Sequence, residues 1–162
     1  MSRDLSKIIP DLTKQFNLSS KASWIKTYQG MDELIDLFHE NVRLCDRAYT
    51  EWMWLGNDDK LVYLYGEIYF QQLIKNRVKN KTPIKILNCR PANFYAIKKD
   101  FDEREYRQMK FLPKEYESDT SISIVNNIVT HWNPISLKAV VIEDGLIADQ
   151  YRGIFNLLWE VL

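Results

Sequence analysis

The groups in this chain that could do chemistry are few, and their spacing narrows what they can do. Among its 162 residues are two histidines and two cysteines. His39 stands between Phe38 and Glu40 in a segment of helical periodicity, with no second histidine or cysteine at ligand spacing, so no metal site is expected there. His131, next to Trp132, has the chemistry of a general base, but no serine or cysteine nucleophile is placed beside it by the sequence. Cys45 and Cys89 fit neither a CxxC pair nor a zinc ligand spacing, which suits reduced thiols in a cytoplasm. No cofactor is implied by any of these groups.

Asn88, Cys89 and Arg90 follow directly on an apolar strand pattern and precede Pro91. In open α/β sheets ligands gather beyond the carboxyl ends of strands, which makes polar residues there the better binding candidates. The expected ligand site is therefore Trp54, Asn88, Arg90 and His131. Trp54 would offer a stacking face, Arg90 a charged fork for an anionic group, and Asn88 and His131 directional hydrogen bonds. The aromatics Trp52, Trp54, Tyr63, Tyr65, Tyr69 and Phe70 follow strand and helix periodicity and read first as core. The basic run Lys75, Arg77, Lys79 and Lys81 reads as a solvated helix end, where cations complement the helix dipole.

These residues must be positioned by alternating helices and strands. Leu5, Ile8, Ile9, Leu12 and Phe16 form an apolar stripe at helical spacing, with Pro10 kinking the helix or standing near its start. Such a short helix is marginal in water unless the stripe is buried, so these five residues are expected to contribute to a homodimer. A strand over 24–28 and an amphipathic helix through Leu34, Leu37, Phe38 and Val42 come next. They are followed by a strand over 48–55 with Trp52 and Trp54 on one pleat face. A long helix starting at Asp58 runs out near Lys81 before Pro83, then an apolar strand spans 84–89. A more polar helix over 94–108 leads to a strand over 109–112. Two further strands, 121–125 and 128–132, flank Asn126-Asn127, a pair that tolerates the positive φ of a tight hairpin turn. A strand over 137–142 precedes the clearest helix, whose stripe reads Ile147, Tyr151, Ile154, Phe155, Leu158 and Leu162. The expectation is an α/β fold, a mixed β-sheet flanked by helices on both faces.

Composition closes off other classes. With 46% hydrophobic and 13% aromatic residues the chain can bury a real core, so it is not a disordered segment. Twenty-two basic residues balance twenty-two acidic ones, which excludes the overall positive field of a dedicated nucleic-acid binder. No apolar run has the length of a membrane span, and Met1-Ser2-Arg3-Asp4 does not begin a signal peptide, so a cytoplasmic protein without a membrane partner is expected.

The order of these elements, with the phrases that mark them, resembles the TrmB-like transcriptional regulators of prokaryotes. The resemblance runs through Ile9-Pro10-Asp11-Leu12, TYQGMDEL at 27–34, Pro83 to Leu87, MKFLP at 109–113 and SISIVNN at 121–127. It is strongest in AVVIEDGLIADQYRGIFNLLW at 139–159. It implies a linker or dimerisation helix over residues 1–20 and a phospholipase D-like effector domain over 21–162. The family's winged helix-turn-helix would lie before the linker. No room for it exists ahead of Leu5, so DNA reading is expected only through a part outside this chain. Active phospholipase D-like proteins carry His-x-Lys-x4-Asp, and laying that motif on the matching strand puts Ser121, Ser123 and Ile128 at its three positions. The resemblance therefore implies no enzyme but a dimeric, ligand-sensing domain that takes a small-molecule effector. A divergent phosphodiesterase or nuclease and a ligand-free dimerisation module are the alternatives.

Overall fold

A computed structural model describes residues 23–44, 51–57, 62, 66–89, 106–116 and 118–162. Its elements in chain order are β1 (Trp24–Gln29), α1 (Met31–Leu44), β2 (Trp52–Gly56), α2 (Glu67–Lys79), β3 (Ile84–Asn88) and β4 (Arg107–Phe111). A short 3-10 turn (Lys114–Tyr116), β5 (Ser121–Val125), β6 (Ile128–Asn133), β7 (Lys138–Glu143) and α3 (Gly145–Val161) complete it. The strands form one seven-stranded mixed sheet in the order β1-β7-β6-β5-β2-β3-β4. β2 pairs in parallel with β3, and β3 with β4, whereas β2 to β5 and all pairs out to β1 are antiparallel. The α/β class and mixed sheet expected from the pattern are those observed. The stripe Leu5, Ile8, Ile9, Leu12 and Phe16 lies outside the described residues.

Strand alternation sorts the core into two layers. Trp52, Trp54, Ile84, Ile86, Val125, Trp132, Ala139 and Val141 point to one face, where Leu34, Leu37, Phe38 and Val42 of α1 and Phe70 of α2 cover them. Met53, Leu87 and Ile124 point to the other, against Tyr151, Phe155, Leu158 and Trp159 of α3. β2 lies between two strands and under helices on both faces, so it is apolar throughout rather than alternating.

Local chemistry explains the joints. Asn126 adopts φ 52°, the left-handed conformation that the β5–β6 turn requires and that asparagine tolerates. Asp144 caps α3, its carboxylate accepting from the Leu146 amide at 2.9 Å and the Ile147 amide at 3.0 Å. The Ser23 hydroxyl donates to the same carboxylate at 2.6 Å, and chiefly this bond, with the two amides, holds Asp144 below the usual carboxylate range. Gly56, at φ 131°, ends β2 where a Cβ would stand 2.7 Å from the Ser121 Cα, so no other residue fits without moving backbone.

Three sequence expectations change. Arg107 and Gln108, expected in a helix, form the first rungs of β4 because they pair with Ile84 and Lys85. Ile154 and Leu162, expected on the buried stripe of α3, are 49% and 42% exposed, and Ala148 and Trp159 stand on the sheet side instead. Arg77 is not solvated: it is buried, and its guanidinium donates to the Thr82 carbonyl at 2.9 Å and the Tyr106 carbonyl at 3.5 Å. It thereby ties the end of α2 to the approach to β4. Lys75, Lys79 and Lys81 are exposed, and Asp58 lies outside the described residues.

Candidate ligand-binding site

The parallel strands β2, β3 and β4 bring their carboxyl ends to one edge of the sheet, and the chain enters β5 from the same edge. The Cys89 amide donates to the Gly56 carbonyl at 3.0 Å and the Leu112 amide to the Asn88 carbonyl at 2.8 Å, so the three ends stay in register past their last rungs. Ser118 and Thr120 fold the approach to β5 through a side-chain turn, with the Thr120 amide donating to the Ser118 hydroxyl at 3.1 Å. Across this edge lies the last turn of α3. It is held by Lys110, whose ammonium donates to the Trp159 carbonyl at 2.6 Å and stands 5.1 Å from the centre of the Trp159 ring.

Between these parts is a cavity of about 450 Å³. Leu55, Cys89, Leu112, Ile122, Leu158 and Val161 supply apolar walls, and Tyr116, Ser118 and Thr120 stand at the lining with hydroxyls. A lining of this kind suits a small, largely apolar ligand oriented by a few hydrogen bonds. The sequence pointed to this edge of the sheet but not to these residues. Leu112 and Leu158 carry no signal beyond being apolar, and what brings them to the cavity is the meeting of β4 with the end of α3.

Of the four residues expected to form the pocket, the three that are described do not converge. Trp54 is buried on the α1 face, stacked on Trp132 with ring centroids 6.1 Å apart, and its Nε1 has no hydrogen-bond partner. Asn88 pairs with Gly56 and is fully buried on that same face. His131 pairs with Ile122 and so belongs to the α3 face, where its Nε2 lies 3.0 Å from the Tyr151 hydroxyl. The sheet itself separates Trp54 and Asn88 from His131, so a ligand touching all three is excluded by strand parity. Arg90 lies outside the described residues. Burial holds the His131 imidazole below the usual histidine range, favouring its neutral form.

The positions matched to the phospholipase D motif are engaged inside the fold. Ser121 and Ser123 are buried on the α1 face. The Ser121 hydroxyl donates to the Asn57 carbonyl at 3.0 Å, and the Ser123 hydroxyl accepts from the Trp132 indole at 2.9 Å. Ile128, half-buried, packs against the same aromatic core. Among the described residues no three His, Cys, Asp or Glu side chains gather as a metal site, and no helix is long and apolar enough to cross a membrane.

No protein-family profile and no curated protein sequence matches the chain. Solved structures do. The chain is similar to TrmBL2, described as an archaeal chromatin protein with a novel mode of DNA binding, with a TM-score of 0.61 and 14% identity. That match covers 97% of this chain, which spans 58% of the length of TrmBL2. It is also similar to NucT from Helicobacter pylori, with a TM-score of 0.61 and 10% identity over 85% of this chain and 96% of NucT. Polyphosphate kinase from Porphyromonas gingivalis matches with a TM-score of 0.53 and 8% identity, over 84% of this chain and 26% of the kinase. At these identities the likeness is one of fold: a mixed α/β sheet of the phospholipase D-like class.

Proposed function

We infer that this chain is a non-catalytic effector-binding domain of a prokaryotic, cytoplasmic TrmB-like transcription regulator, with DNA read by a winged helix-turn-helix outside it. The observation that carries this reading is the fate of the motif strand. At the positions of a histidine nucleophile and its lysine stand two buried serines whose hydroxyls are bonded to the Asn57 carbonyl and the Trp132 indole. A hydroxyl held in that way, on a strand closed over by α1, is neither exposed to a phosphodiester nor activated by a neighbouring base. The likeness to a DNA-binding chromatin protein supports the regulator reading.

The effector site of this reading is the cavity at the strand ends. A ligand filling it touches the ends of β2 and β4 and the last turn of α3 together. Its binding free energy is thus coupled to the position of α3 relative to the sheet, which is what a sensor requires. The reading is tested by two assays on the full chain. Anilinonaphthalene sulfonate should bind saturably, and Leu158→Trp, which fills the cavity, should abolish that binding. Bis(p-nitrophenyl) phosphate should not be hydrolysed. Turnover that disappears in Ser121→Ala or His131→Ala would make the chain a divergent phosphodiesterase and end the proposal.

A further inference from the structure

α3 is apolar on two sides. At about 3.6 residues per turn, Leu146, Gln150, Gly153, Ile154, Leu157 and Val161 fall on the side of the helix away from Ala148 and Phe155, which are buried against the sheet. Leu146 is 83%, Ile154 49%, Leu157 63% and Val161 71% exposed. Gln150 is the one polar side chain within this row, and Asp149, Asn156 and Glu160 stand along one flank of it. A helix at the surface ordinarily keeps its outer side polar, so one that is apolar inside and out belongs between two layers. Gly153 is a second anomaly. Glycine in a helix interior weakens it, and a Cβ here would meet nothing within 4 Å, so the fold of the single chain does not require it. In an exposed apolar row it leaves a notch that a neighbouring side chain can enter.

We propose that this row is the contact between two copies of the chain, α3 lying antiparallel on α3 of the second copy about a two-fold axis between Gly153 and Ile154. In that arrangement the row is its own complement. Ile154 of each copy enters the notch at Gly153 of the other, Leu157 meets Gln150, and Val161 meets Leu146, the two members of each pair standing equally far from the axis on opposite sides of it. A parallel pair would instead set Gly153 on Gly153 and leave a gap at its centre. The row spans about 22 Å of helix. Its four apolar side chains show roughly 100 Å² each, so two copies bury roughly 800 Å² of apolar surface, and an interface about two-thirds apolar then totals ~1,200 Å². That is the low end for a specific complex and fits association in the micromolar range. Like flanks meet in such a pair, and the Asp149 carboxylate there is already ion-paired with Arg152. Arg152 is also the one basic residue of α3, whereas a helix that docks on an anionic membrane surface carries several. The interface does not rest on the effector reading, although Val161 belongs to both the row and the cavity lining.

Sedimentation equilibrium of the full chain tests this. The parent should pass from monomer to dimer along a dilution series that reaches on the order of 100 µM. Leu157→Glu, at an exposed site, should weaken the dimer at least about tenfold and leave the melting temperature of the dilute protein unchanged. Gly153→Leu should weaken it as much, although it favours the helix, because it closes the notch. Adding Gln150→Lys to Leu157→Glu should recover about fivefold of the loss, since in the antiparallel register the new ammonium of one copy faces the new carboxylate of the other, twice per dimer. A parent that stays monomeric throughout would overturn the proposal. So would a dimer that either single variant leaves intact, which would put the contact on another surface. A loss with no recovery in the double variant would refute the antiparallel register, and the proposal with it.

Discussion

The two faces of the sheet are built from the same strands and put to different use. On the α1 face, Trp52, Trp54, Trp132, Phe38 and Phe70 touch ring to ring, with centroids 5.7–6.3 Å apart, and the layer continues out to β7 without thinning. On the α3 face, Met53, Leu87 and Ile124 meet Tyr151, Phe155 and Trp159 in a smaller cluster, whose one stacked pair is Phe155 on Trp159 with centroids 5.9 Å apart, and it ends in a cavity at one edge and near exposed Ile25 at the other. Aromatic pairs add roughly 0.5–1.5 kcal/mol each beyond the area they bury, so the α1 face is where stability is concentrated. The lesson is one of division: a strand that alternates strictly can anchor the fold with one set of side chains and leave the other set free to bind something.

The sharpest way to break this comparison is to empty one position on each face. Trp132→Ala, on the closed face, should lower the unfolding free energy by about 3–5 kcal/mol in denaturant titrations, since it removes the ring that touches both Phe38 and Trp54. A loss below about 1 kcal/mol would show that the aromatic layer is not the anchor. Leu158→Ala, on the open face, removes a half-buried side chain next to an existing cavity and should cost about 1–2 kcal/mol by the same titration. An equal or larger loss than at Trp132 would erase the distinction between the faces.

The smallest effect sharpens the comparison through pH. His131 on the α3 face is held below its ordinary value of 6.5 by burial, so between the folded and the unfolded value the unfolded chain carries the extra proton. Its contribution to stability is fully present above about pH 6.5 and is lost as pH falls through the folded value. The midpoint of urea unfolding should therefore fall from about pH 7.5 to pH 5, and His131→Gln should flatten part of that slope. An unchanged slope would mean that the imidazole is as well solvated folded as unfolded.

How much of this was legible in the sequence depends on how local the cause is. The Asn126-Asn127 hairpin and the helix that follows the strand at 137–142 are written within a few residues of themselves, and both stand where the pattern put them. The pairing of Trp54 with His131 in one pocket failed for a non-local reason. Which face a strand residue takes is fixed by its register with a neighbour, and Trp54 meets Ser123 while His131 meets Ile122, one step out of phase. Arg77 is another such case. Among lysines it reads as one more surface cation, and the carbonyls of Thr82, just past the helix, and of Tyr106, far along the chain, are what hold it inside. The cavity was legible as a place, the carboxyl ends of the parallel strands, but not as a set of residues.

The strand order carries a last consequence, in time rather than space. β5, β6 and β7 are joined by short turns and lead straight into α3, so this part of the sheet closes small loops as it assembles. β1 is different: it pairs with β7, the first described strand with the last. On a ribosome, β1 emerges long before anything exists for it to bond to, and it must wait with its amides unpaired until the final strand is made. The β1–β7 edge of the sheet is thus completed only after the strands between them have been made.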